Sequence, residues 1–360
     1  MLLLKNGSVF DGSGSEPVSA DVLIDGNRIA RIGPADEGPP HCQVVECRNL
    51  AIAPGFIDLH SHADLQVLQD ERTEKSHQGV TTEVVGNCGF SPFPQGGHAQ
   101  DLCDFGGGIL GQRDHWGWAG AREYLDSVAR QGKNVRVAPL VGHGSLRVAV
   151  AGLDQRPLTR AEQDRMEGLL AESLDAGCVG FSTGLMYAPG SSAGKQELEP
   201  LCHVAAKKGK LYATHMRSYA NRLLEAIREQ LDLARASGCR LQISHLQAAG
   251  RANWDLQRRA LDEIEAARAE GMDVEFDIYP YQCGSTVLTQ WLPQSTLDGG
   301  MDALMARLHD KSTRQKIADE TERSRAQEWS DLTISGVASE GNRPLIGKTI
   351  ADVAGLRGCA

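Results

Sequence analysis

The sequence predicts an α/β fold: an incomplete (β/α)8 barrel with seven of its eight strands, preceded by a small β domain. Three observations carry this. Glycines 177, 209, 238 and 271 each separate an amphipathic stretch from an apolar run, at spacings of 32, 29 and 33 residues, about one βα unit each. The first 50 residues follow another rule, with short strand-like runs broken by Asn-Gly and Asp-Gly turns. Finally, the residues suited to chemistry fall at the C-terminal ends of the apolar runs, which in a parallel barrel share one rim.

Taken in order, residues 2–4, 9–10, 20–24 and 28–32 read as strands. Asn6-Gly7, Asp11-Gly12, Asp25-Gly26-Asn27 and Gly33-Pro34 read as the turns between them. Residues 1–52 are therefore assigned to the small β domain. The next run, Pro54-Gly55-Phe56-Ile57-Asp58-Leu59-His60-Ser61-His62, reads as a buried strand ending in two histidines. Side chains alternate along a strand, so His60 and His62 are expected on one face, able to chelate a divalent metal.

From residue 76 onward, segments end at a glycine and strands follow at once. Gly79 precedes 80–85, Gly132 precedes 135–140, Gly177 precedes 178–182, Gly209 precedes 211–215, Gly238 precedes 241–245 and Gly271 precedes 274–278. Glycine is expected there as the left-handed helix cap. Thr159 and Glu162 form a capping-box pattern, after which Met166, Leu169, Leu170 and Leu174 line one face. Leu223, Leu224, Ile227, Leu231 and Ala234 repeat that stripe after Asn221. Strand–helix repeats of this kind imply parallel strands, and no G-x-G-x-x-G opens a helix after the first strand, which counts against a dinucleotide-binding sheet. The barrel is assigned to 53–286 and a charged, helical, insertion-like segment to 287–360.

A net charge of -10 argues against a nucleic-acid or anionic-membrane partner. The start, Met1-Leu2-Leu3-Leu4-Lys5, lacks a basic region and a cleavage site and reads as a strand, and no apolar run is long enough to span a bilayer. Nine scattered cysteines without a C-x-x-C pair fit reduced thiols in a cytoplasm. Most of them, Cys42, Cys103, Cys202 and Cys359 included, read as small buried hydrophobes.

Three further strand ends carry ligands: Gly86-Asn87-Cys88-Gly89, Thr214-His215-Met216-Arg217 and Ser244-His245-Leu246-Gln247. With His60 and His62 they make four imidazoles and one thiolate, a set suited to zinc. Singly, each is more simply a core cysteine or a hydrogen-bonded histidine. Five at strand ends point to one site. His143 reads as a satisfied core histidine.

These residues also bear a resemblance. The run 53–62, Gly79-Val80-Thr81-Thr82, Gly86-Asn87-Cys88-Gly89, Leu140-Val141-Gly142-His143-Gly144, Ser182-Thr183-Gly184-Leu185-Met186-Tyr187, Ala213-Thr214-His215-Met216-Arg217, Ile243-Ser244-His245 and Asp277-Ile278-Tyr279-Pro280-Tyr281 resemble the D-aminoacylases. These are N-acyl-D-amino-acid deacylases of the amidohydrolase superfamily. The resemblance implies a zinc-dependent hydrolase acting on the amide bond of a small-molecule N-acyl-D-amino acid. It implies a tight zinc site at Cys88, His215 and His245 and a second, weaker metal position at His60 and His62. Tyr187, Arg217 and Gln247 are the implied substrate-binding residues. Most amidohydrolases carry a carboxylated lysine on the fourth strand; Phe181-Ser182-Thr183-Gly184 stands there instead, which weakens dihydroorotase and hydantoinase readings.

Two departures qualify the resemblance. Where the family has a lysine suited to a substrate carboxylate, this chain has Gln247, a neutral donor. The family's eighth strand carries an Asp in a Ser-Asp-Gly setting as general base and metal ligand. No such strand follows residue 287, Ser330-Asp331-Leu332 is not a substitute, and the closing strands of the small β domain are absent too. The catalytic base is thus unassigned. The chain is expected to be C-terminally truncated, with weak or no deacylase activity, since a proton-transfer group is worth about 10²–10⁴-fold in rate. Three readings stay open: a deacylase, a hydrolase of another amide or cyclic imide, and a non-catalytic metal-binding remnant.

Overall fold

Leu2 to Val9 alternate too imperfectly for one regular strand, yet they form one. In the computed structural model, which describes all residues except 35–38, 70–71, 112–114, 133, 326 and 360, β1 (Leu2–Val9) runs through Asn6-Gly7. The register against β2 (Val18–Asp25) shifts between Leu4 and Gly7, and Asn6 takes φ 62°. The expected turn is therefore a bulge. An Asn-Gly pair supplies left-handed backbone to either feature, so local sequence does not distinguish them. β3 (Arg28–Gly33), β4 (Gln43–Glu46) and β5 (Ala51–Ile52) complete a five-stranded sheet in the order β3-β2-β1-β4, with β5 also on β1. β2 and β3 pair antiparallel; β4 and β5 run parallel to β1.

The second sheet comprises β6 (Phe56–Asp58), β7 (Val80–Val85), β8 (Arg136–Gly142), β9 (Gly180–Gly184), β10 (Leu211–His215), β11 (Arg240–Ile243) and β12 (Val274–Phe276). They lie in sequence order, β6 through β12, as a curled parallel half-barrel. This is the order that repeated strand–helix units produce. β6 and β12 are its edges. By contact the chain divides into two compact units, Met1–Ile57 with Glu74–Thr82 and Asp58–Thr73 with Glu83–Ala360.

Helices α1 (Ala99–Leu110), α2 (Ala121–Gln131), α3 (His143–Ala151), α4 (Arg160–Ala176), α5 (Lys195–Lys207), α6 (Leu223–Ser237) and α7 (Leu256–Ala269) connect the strands. The capping box at Thr159 and Glu162 forms at the start of α4. The predicted stripes of α4 and α6 are buried. They join Phe181 and Tyr212, whose rings stack 4.7 Å apart, in the main apolar core. Beyond β12, α8 (Gly300–His309), α9 (Lys311–Ser324) and α10 (Ile350–Arg357) supply the expected helices, but much of the stretch between α9 and α10 is irregular.

The glycine rule holds with one exception. Gly79, Gly177, Gly209, Gly238 and Gly271 all have positive φ, but Gly132 leaves α2 extended, at φ -72°. A Cβ there would lie 2.8 Å from the Val128 carbonyl oxygen, so crowding rather than handedness calls for glycine. All nine cysteines are free; Cys103 and Cys202 are buried as expected, whereas Cys359 is exposed and Cys42 half-buried, because each lies outside the packed helices. No helix among the described residues is long and apolar enough to cross a membrane.

Candidate metal centre

β6 stops at Asp58, so His60 and His62 sit in the turn after it and strand alternation does not orient them. A local network does. The Asp58 carboxylate accepts from the His60 backbone N–H at 3.1 Å. The Ser61 hydroxyl turns the other way, donating to the buried Glu83 carboxylate at 2.7 Å, and Ser61 N–H donates to the Val84 carbonyl at 3.0 Å. With Ser61 fixed, the two flanking imidazoles converge, ring centres 5.4 Å apart.

Cys88 is presented by the turn after β7. Gly86 has φ 79°, and a Cβ on it would come within 2.2 Å of the Leu140 carbonyl oxygen, so only glycine fits. Asn87 donates its side-chain amide to the Val84 carbonyl at 2.9 Å. Gly89 N–H donates to the Ser182 hydroxyl at 2.9 Å, and that hydroxyl donates to the Gly86 carbonyl at 2.5 Å. Cys88 itself adopts φ 54°, and His245, just past β11, adopts φ 38°. Non-glycine residues in this region cost about 1–3 kcal/mol each and cluster at functional sites.

The predicted ligands come together. Cys88 Sγ lies 3.3 Å from His60 Nε2 and 3.6 Å from His245 Nε2. Candidate ligand atoms of His60, His62 and Cys88 fall within 4.8 Å of one another, as do those of Cys88, His215 and His245, so the thiol belongs to both triads. His215, at the end of β10, is buried, and neither ring nitrogen has a hydrogen-bond partner. An orphaned imidazole beside a thiol is the donor set of a zinc site before the metal is counted. The residues present fit the ion.

Electrostatics agree. Burial opposes charge on Cys88, yet His60 and His62 hold its thiol well below the ordinary range. Burial likewise opposes charge on His60, but the Cys88 thiolate and Asp277 raise it to about 10. Burial lowers His215 to about 4, leaving the imidazole neutral, the form able to ligate a metal. Burial raises Asp64, two residues beyond His62, to about 7.

Two residues to which the sequence reading gave no role brace the cluster. Tyr219 is buried with its ring centre 5.1 Å from that of His215 and 4.9 Å from that of His245. Its hydroxyl donates to the Ser244 carbonyl and accepts from Met216 N–H, at 3.0 and 2.9 Å. Asp277, directly after β12, places Oδ1 3.2 Å from His60 Nδ1. A carboxylate at a strand end, level with histidines at other strand ends, was the available signal for Asp277. Nothing local marks Tyr219.

The expected substrate residues are differently placed. The Tyr187 ring lies 4.8 Å from that of His215, with its hydroxyl 3.3 Å from Thr286 Oγ1, and burial keeps the phenol protonated. Arg217 donates to the Ser191 and Ala193 carbonyls at 2.7 and 2.8 Å, and through Nε and Nη2 to the Glu229 carboxylate at 3.2 and 2.9 Å. Those bonds fasten the loop after Tyr187. Gln247 accepts the Tyr279 hydroxyl at 2.9 Å on its amide oxygen, so its N–H groups are what it presents. His143 is fully buried and bonded to Glu197 at 2.8 Å.

The chain is similar to several known proteins. N-acyl-D-glutamate deacylase of Alcaligenes xylosoxydans xylosoxydans is 39% identical over 291 residues, 80% of this chain and 58% of that protein. D-aminoacylase of the same organism is 38% identical over 295 residues, 80% of this chain and 59% of that one. The chain therefore spans less than two thirds of these relatives. The crystal structure of N-acyl-D-glutamate deacylase from Bordetella bronchiseptica, complexed with zinc and a phosphonate mimic of the tetrahedral intermediate, superposes with a TM-score of 0.78. It is 33% identical, over 99% of this chain and 67% of that one. A D-aminoacylase described as having a binuclear metal centre gives a TM-score of 0.82 at 29% identity, covering 100% of this chain and 68% of that one. The family model described as "Amidohydrolase family" matches residues 43–328. With most of the chain inside that match, the lineage follows: the chain belongs to the amidohydrolase family.

Proposed function

We propose that this chain carries the metal centre of a zinc-dependent hydrolase that cleaves the amide bond of N-acyl-D-amino acids. The observation that carries the reading is Cys88, a thiolate shared by two ligand triads and held in left-handed backbone. Cys88, His215 and His245 hold the tight zinc in this reading, and His60 and His62 the weaker position. Zinc supplies Lewis acidity toward an amide carbonyl and toward water. The chain's own residues do the rest. Tyr187, a protonated phenol beside His215, donates to the substrate. Gln247, its oxygen taken by Tyr279, turns its amide N–H groups to the substrate carboxylate. Arg217 secures the segment that bears Tyr187.

A neutral amide meets a carboxylate more weakly than a cation does, so affinity for a free carboxylate is set below that of a lysine-bearing site. The relatives are named for acting on acylated D-amino acids, N-acyl-D-glutamate among them, which favours this reading over a cyclic imide. Nine free thiols support a cytoplasmic location. The test is metal analysis of the purified chain, followed by hydrolysis of N-acyl-D-glutamate, N-acyl-D-aspartate and their L-forms. Stoichiometric zinc with hydrolysis confined to D-forms supports the reading; a chain that takes up no zinc, or that cleaves the L-forms equally, overturns it.

A further inference from the structure

Asp277 touches both halves of the cluster at once. Its Oδ1 lies 3.2 Å from His60 Nδ1 and also accepts the His245 backbone N–H at 2.7 Å. Its Oδ2 accepts from Gln242 Nε2 at 3.0 Å. The backbone beneath is fixed on both sides: Asp277 N–H donates to the Ile243 carbonyl at 3.0 Å, and the Asp277 carbonyl accepts from Leu246 N–H at 2.9 Å. The side chain is largely buried, at 15% exposure. No part of this carboxylate is free to wander.

We infer that Asp277 is a positioning residue that sets the His60 imidazole and the strained His245 turn against the common thiolate of Cys88. The inference rests on the metal reading of the site given above. Two physical effects combine in it. Asp277 acts on His60 through its charge: Oδ1 lies 3.2 Å from Nδ1 without hydrogen-bond geometry, favours the proton on that nitrogen and leaves Nε2 as the ligand atom; loss of such a carboxylate partner typically costs 10–100-fold in metal affinity. His60 does turn Nε2 to Cys88, 3.3 Å away. The charge-assisted bond to His245 N–H, meanwhile, holds a residue at φ 38° that would otherwise relax toward ordinary backbone. One side chain thereby couples the weaker histidine pair to the tighter triad.

Asp277→Asn separates these effects from mere folding. The asparagine oxygen still accepts from His245 N–H, so the turn and the fold persist, while the negative charge facing His60 is lost. The experiment measures zinc affinity by chelator competition, the visible spectrum after cobalt loading, and the urea midpoint of the metal-free chain. Asp277→Asn is expected to lower zinc affinity at the His60–His62 position about 10–100-fold and alter the cobalt spectrum, while the metal-free chain still unfolds in one cooperative urea transition, its midpoint lowered only by the lost charge facing His60. In a His60→Asn background the same change is expected to cost less than about 2-fold, because the partner it acts through is gone. Unchanged zinc affinity in Asp277→Asn, or equal losses in both backgrounds, overturns the inference while leaving the metal site intact. A wild-type chain that binds no zinc overturns the reading of the site itself, and the inference with it.

Discussion

Cys88 Sγ stands 3.3 Å from His60 Nε2, and through this contact the two ligand triads share an atom. Thiolate and imidazolium stabilise each other in a buried setting where either charge alone would be expensive.

Replacing Cys88 should therefore damage both positions. Cys88→Ala is expected to lower zinc affinity by more than about 100-fold, beyond the 10–100-fold typical of an outer-shell change. Far-ultraviolet circular dichroism should be unchanged. Chelator competition and metal analysis check it.

Glu197 holds two buried side chains, His143 at 2.8 Å and Arg147 at 2.5 Å. Burial opposes its charge, but His143 and Arg147 hold it below the ordinary carboxylate range. Glu197→Gln leaves Arg147 buried without its counter-charge, at a cost of about 3–5 kcal/mol. A carboxyl depressed in the folded state stabilises fully above its unfolded value and loses that contribution as pH falls through the folded one. Urea midpoints of variant and wild type should thus differ most at neutral pH and converge on acidification below about pH 4.5.

The start of α4 offers a test away from the site. Thr159 Oγ1 accepts from Glu162 N–H at 3.3 Å, and the Glu162 carboxylate accepts from Thr159 N–H at 2.7 Å. Thr159→Ala should cost about 1 kcal/mol, read as a lower urea midpoint with zinc affinity unchanged.

Arg217 fastens 187–193 by bonds to Ser191, Ala193 and Glu229. Arg217→Lys cannot reproduce that fork, and is expected to cost about 2 kcal/mol at roughly 1 kcal/mol per lost bond. Amide hydrogen exchange should quicken in 187–193 before any change appears in α4.

The parallel strands and their helices were legible because each rests on a local cue: an apolar run, a stripe of 3.6-residue period, a glycine at the exit. That His60, His62, Cys88, His215 and His245 gather in one place was legible because each follows or ends an apolar run. What failed to show depends on neighbours distant in sequence. His60 and His62 converge because Ser61 is tied to Glu83, not because a strand continues. Asn6-Gly7 bulges because β2 stays paired beyond it. Tyr219 matters only once β10 and β11 lie side by side, and Gly132 is needed because of the carbonyl four residues earlier.

The left-handed backbones at Cys88 and His245 set the stability of the fold against the centre it carries. Glycine at either position would relieve about 1–2 kcal/mol of torsional cost and remove a ligand in the same step. At these two positions thermal robustness and metal binding therefore pull in opposite directions: a step toward glycine gains the one and forfeits the other.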